Sequence, residues 1–157
     1  MDMSGIGSAA RKAAGLWRMA PALLAVAALG ACGKSTTGPS GPQRTVIGTQ
    51  TGTMQSFSAG AHPVQAGSSG TMDVTLDWGN AANDFDIFVT SNNCNTSSLA
   101  DLEAGVGSCS HITSAQSSNL KPERVTWAGT GGTTYKVWVA NFGLSADSYT
   151  VTAGVTN

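Results

Sequence analysis

The chain has 157 residues, 41% of them hydrophobic and 11% charged, with a formal net charge of −1. Three of its eight basic residues, Arg11, Lys12 and Arg18, fall near the start, and from residue 32 onward five basic residues face eight acidic ones with no basic tract. A nucleic-acid partner needs a positive stripe to neutralise phosphates, so that class is excluded, and the length suits one domain behind a leader.

Arg11, Lys12 and Arg18 form a basic region ahead of an apolar stretch, 20–28, that is interrupted only by Pro21 and followed by the small residues Gly30 and Ala31. This is the pattern of a secretory signal, with an apolar core well short of the ~20 residues a membrane-spanning helix needs. Leu29-Gly30-Ala31-Cys32 resembles the lipobox of bacterial lipoproteins. The resemblance implies removal of residues 1–31 and a diacylglycerol on the Cys32 sulfur, often with a further acyl chain on its amine. Two or three chains hold a protein on a bilayer where one does not. By Gram-negative sorting rules, Gly33 rather than Asp at the next position implies the outer membrane.

Residues 32–44 carry Gly, Ser, Thr and Pro without alternation and read as a flexible tether, leaving 45–157 as the domain. Beyond it no window longer than eight residues shows a helical stripe, and period-two alternation predicts strands. Weak strands are expected at 52–58 and 62–66. At 71–78, Met72, Val74, Leu76 and Trp78 oppose Thr71, Asp73, Thr75 and Asp77; at 84–90, Phe85, Ile87 and Val89 oppose Asp84 and Asp86. The stretch 92–120 breaks the pattern and reads as a long insertion with a helical turn at 99–106. Strands follow at 124–128 (Val125 and Trp127 inward), 133–140 (Tyr135, Val137 and Val139 opposite Lys136 and Trp138) and 148–153 (Tyr149, Val151 and Ala153 inward). The expected fold is an all-β antiparallel sandwich.

With Cys32 assigned to lipid, Cys94 and Cys109 form the remaining pair. An exported domain meets oxidising conditions, so a disulfide closing the insertion is expected, worth about 3 kcal/mol for a loop of about 15 residues. Free thiols or metal ligands are the rival reading, with His111 the sole companion nearby.

Asp84-Phe85-Asp86-Ile87-Phe88-Val89, Lys121-Pro122-Glu123-Arg124-Val125, Gly132-Thr133-Thr134-Tyr135-Lys136-Val137-Trp138-Val139 and Tyr149-Thr150-Val151 together resemble the bacterial pre-peptidase C-terminal (PPC) domain. That domain is a jelly-roll-like β-sandwich similar to the collagen-binding domains of secreted clostridial collagenases. The resemblance spans about residues 50–155 and implies a non-catalytic module, of a kind that accompanies exoenzymes and in some members binds matrix polymers or calcium. Here nothing upstream of residue 50 could fold as a peptidase, so the module stands without an attached enzyme.

Three sets of side chains are candidate sites. Asp73, Asp77, Asp84 and Asp86 could converge with carbonyls of Asn80 or Asn83 into the oxygen-rich shell that calcium takes, or serve as solvated turn residues. Trp138, out of phase with its strand, and Lys136 beside it form either a ligand-binding surface or the floor beneath the insertion. His62 and His111 have no ligand-spaced companions for zinc. No serine sits in a GxSxG elbow, no catalytic residue is assigned, and no cofactor is required. The Asn95-Thr96-Ser97 sequon is read as accidental in a bacterial chain. The expected function is a non-catalytic cell-envelope lipoprotein that displays a binding or adhesion module for protein or polysaccharide. The alternative is a structural or assembly subunit of an envelope complex, accessory to a separate secreted hydrolase.

Overall fold

The computed structural model describes residues 41–118 and 120–157, so the leader, Cys32 and the segment up to residue 40 lie outside the described residues. Eight strands run β1 (Arg44–Met54), β2 (Ser58–Gln65), β3 (Gly70–Trp78), β4 (Phe85–Ser91), β5 (His111–Ala115), β6 (Glu123–Gly129), β7 (Thr134–Asn141) and β8 (Asp147–Thr156). Among the described residues, one α-helix, α1 (Leu99–Ala104), and a 3-10 turn, Gly107–Cys109, lie between β4 and β5. Two four-stranded antiparallel sheets result, β1-β8-β3-β6 and β2-β7-β4-β5. This is jelly-roll order: the chain crosses between sheets at every connection except β4 to β5, the one that carries the insertion.

The alternation read from the sequence builds the space between the sheets. Met72, Val74 and Leu76 of β3 and Phe85, Ile87 and Val89 of β4 are fully buried in one core with Val137, Val139, Tyr149 and Val151. Each such aliphatic or aromatic side chain contributes about 1.5–3 kcal/mol when withdrawn from water. Trp78 stacks on Phe85 at 5.4 Å and donates its indole N–H to the Asn83 carbonyl, so even the polar edge of this ring is satisfied.

Three elements differ from the sequence expectation. Arg44, placed at the end of the tether, opens β1, where its guanidinium grips Asp73 in a bidentate pair with a shortest contact of 2.6 Å. The weak strand expected at 52–58 straddles a corner, since β1 ends at Met54 and β2 begins in the other sheet at Ser58. Finally, residues 111–115 belong to β5, so the insertion does not extend unbroken over 92–120. β5 is an edge strand whose Ile112 is 45% exposed, which leaves it without an apolar face to read.

Cys94 and Cys109 are joined by a disulfide at a sequence separation of 15, as expected. Exchanging both cysteines for alanine should lower the unfolding free energy by about 3 kcal/mol. Urea unfolding should record the loss, and amide exchange should accelerate in α1 ahead of the strands.

Candidate functional site

The insertion folds back on the outer face of the second sheet and builds a second small core there. α1 starts at Ser98, whose hydroxyl accepts the Asp101 N–H at 3.1 Å, and ends at Gly105 in the left-handed conformation, φ 61°. His111 caps the same end with a 2.6 Å hydrogen bond to the Leu102 carbonyl, while its ring packs on Phe88. Leu102, Cys94 and Cys109 are thereby pressed onto Phe88, Trp138 and Ala140, all of them buried.

This arrangement decides the reading of Trp138 and Lys136. Trp138 is 6% exposed, and its indole N–H donates to the Thr90 hydroxyl at 3.1 Å. Lys136 donates to the Cys94 carbonyl at 2.5 Å. The ammonium is thus occupied, and Trp138 offers no open ring face for a ligand to stack on. The out-of-phase tryptophan exists because β7 is a central strand covered on both faces, by the sandwich core on one side and by the disulfide-closed insertion on the other.

A groove of about 390 Å³ remains where the insertion meets the β1–β2 corner. Leu99, Leu102 and the edge of Trp138 supply its apolar part; Ser58, Thr96, Ser97 and Ser98 supply hydroxyls; Phe57 stands at one end. Phe57 is 60% exposed and adopts φ 52°. For a bulky L-residue the left-handed region costs roughly 1–2 kcal/mol, which burial of the ring does not offset here. The residues 55–57 contain no Gly, Asn or Asp, so nothing in the sequence marks this position. A more open concavity of about 540 Å³ lies on the outer face of the first sheet, lined by Thr51, Thr53, Asp77, Ser148 and Thr150, with no exposed aromatic ring.

The four aspartates of the calcium reading do not come together. Asp73 is held by Arg44, and Asp77 lies 3.4 Å from Lys121 and accepts the Trp78 N–H. Both lie on the first sheet, whereas Asp84 and Asp86 lie at the start of β4 in the second. Among the described residues no group of three or more His, Cys, Asp or Glu could hold a metal ion. Asn80 and Asn83 act as turn residues. Asp147 organises their bend, accepting from the Asn80 N–H and the Asn83 side chain. Burial pushes Asp147 up, yet these bonds, the Ser148 N–H and Lys121 hold its carboxyl below the usual range.

Asp86 instead feels the charge of Glu123, a residue distant in sequence. Glu123 is 2% exposed; it accepts the Ser117 N–H at 2.8 Å and the Ile87 N–H. Asp84 Oδ1, Asp86 Oδ1 and Glu123 Oε2 are buried without a hydrogen-bond partner among the described residues. Burial, then repulsion from Glu123, Asp84 and Glu103, raises Asp86 to about 7, and burial likewise raises Glu123 to about 7.

His62 stands apart from any such group. It bridges Gln50 Oε1 at 2.6 Å and the Tyr149 hydroxyl at 2.9 Å, tying β2 to the first sheet. Burial lowers its pKa.

No family model and no curated protein matches the chain. Among solved structures it is similar to the Yersinia pseudotuberculosis-derived mitogen, with a TM-score of 0.48 at 19% identity over 73% of this chain and 86% of the mitogen. It is also similar to Aeromonas hydrophila PliG, a periplasmic lysozyme inhibitor of g-type lysozyme, with a TM-score of 0.45 at 11% identity over 74% of this chain and 89% of PliG. At these scores neither likeness carries a functional argument.

Proposed function

We propose that the chain is a non-catalytic recognition module, displayed at a bacterial cell envelope by lipid on Cys32, that takes protein or polysaccharide in the groove between the insertion and the β1–β2 corner. The observation that carries this reading is the groove itself: a disulfide and a capped helix fix one wall, and a conformationally strained, exposed Phe57 stands at its end. Strain of this kind persists where the surroundings enforce it, and it concentrates at binding and catalytic positions. The basic region, short apolar core and Leu29-Gly30-Ala31-Cys32 supply the address, and the PPC-like strand motifs fit a module without chemistry of its own.

Expressed in full in a Gram-negative host, the protein should incorporate a palmitate analogue and partition with membranes, and Cys32→Ser should abolish the labelling. An unlabelled wild-type chain in the cytosol would overturn the envelope reading.

A further inference from the structure

Resting on that reading, we infer that the groove binds a neutral saccharide, with Phe57 as the stacking platform. Sugar rings present C–H faces to aromatic rings and hydroxyls around their rim, so a site for them needs an accessible ring beside fixed hydroxyl partners. Phe57 is that ring: it is the groove's one large exposed aromatic, and it sits at a left-handed backbone position.

The hydroxyls of the groove are already oriented. Ser58 Oγ donates to the Gln55 carbonyl at 2.7 Å, which leaves its lone pairs for a ligand donor. Ser98 Oγ accepts the Asp101 N–H, which leaves its own proton for a ligand acceptor. Thr96 Oγ1 accepts the Ser98 N–H at 3.0 Å and fixes the loop between them. The groove therefore offers donor and acceptor hydroxyls in set directions, as a polyhydroxylated ligand requires.

Charge selects among glycans. Among the described residues no side chain lining the groove is charged, and the nearby ammonium of Lys136 is turned to the Cys94 carbonyl. A uronic acid or phosphorylated sugar would lose the hydration of its charge there without gaining a counter-charge, whereas a neutral hexose or N-acetylhexosamine can exchange its bonds to water for bonds to the groove's hydroxyls.

The test uses the Cys32→Ser chain, titrated with neutral oligosaccharides of the glucose, mannose, galactose and N-acetylglucosamine series and with oligogalacturonate as the acidic control. At least one neutral series should bind, the control should not, and Phe57→Gly should weaken binding by ~10-fold or more. Glycine accepts φ 52° without strain, so Phe57→Gly should melt no lower than the parent and its loss of binding cannot be ascribed to unfolding. Phe57→Trp should retain binding. No binding by any neutral series, or equal binding by Phe57→Gly, overturns the saccharide assignment. Sedimentation with insoluble envelope material then separates the two readings. If Phe57→Gly abolishes co-sedimentation while no neutral sugar binds, the groove remains the recognition site and only the ligand class falls. If neither assay responds to Phe57→Gly, the groove reading falls as well.

Discussion

Asp86→Asn should make the domain more stable than the parent at pH 8 and leave it little changed at pH 4. Asp86 and Glu123 share a buried site in which Asp84 and Glu103 add like charge, and both carboxyls titrate at about 7 in the fold against ordinary values of 3.8 and 4.5. Between those limits the folded chain holds protons that the unfolded chain has released. Stability from this pair is thus fully present below about pH 4 and is lost as pH rises through about 7. Each pH unit of that difference corresponds to about 1.4 kcal/mol, so one neutralised carboxyl accounts for roughly 3–4 kcal/mol across the window. Asparagine keeps the shape of Asp86 and removes the charge, and it should recover most of that at pH 8. His62 works in the opposite sense: burial favours its neutral form, so its contribution is lost as pH falls below about 6.5. Chemical unfolding at pH 4, 6 and 8 reads both. A parent equally stable at pH 6 and 8, or an Asp86→Asn chain no more stable than the parent at pH 8, would contradict the raised values of these two buried carboxyls.

Trp138→Ala is expected to cost about 3–5 kcal/mol, as large aromatic truncations in packed interiors do. The loss should be lopsided. Trp138 touches the sandwich core only through its strand, but it forms the floor under Leu102, Cys94 and Cys109 and satisfies the Thr90 hydroxyl. Amide protection should therefore collapse in α1 and β5 while β3 and β8 keep theirs, which hydrogen exchange resolves strand by strand. Uniform loss of protection would mean that the insertion and the sandwich unfold as one unit.

The fold was largely legible because its inner faces obey a period of two. Met72-Val74-Leu76 and Phe85-Ile87-Val89 locate β3 and β4, one central strand of each sheet, from the sequence alone. The period also misleads wherever both faces are covered. Phe88 and Trp138 lie on the outer face of their strands, and the sequence 137–140, Val-Trp-Val-Ala, is apolar throughout because a second layer lies over it. β5 was illegible for the contrary reason, having one half-exposed isoleucine among histidine, threonine, serine and alanine. The site was least legible. The Asp86–Glu123 pair joins the starts of strands in different sheets, so no local spacing announces it, and the strain at Phe57 is a property of the corner between sheets.

The first and last strands lie side by side in antiparallel register from Arg44 opposite Thr156 to Met54 opposite Asp147, and Gln43 and Asn157 exchange two further backbone bonds. Both ends of the domain therefore leave from one pole of the sandwich. β1 runs to the other pole, ~33 Å away at about 3.3 Å per residue, and delivers the chain there to the Phe57 corner. A fusion partner, bead or surface attached at either end would sit behind the domain and leave the groove facing outward. A few residues joining Asn157 to Gln43 would close the domain into a ring, so new ends could be opened at an exposed turn without touching the site.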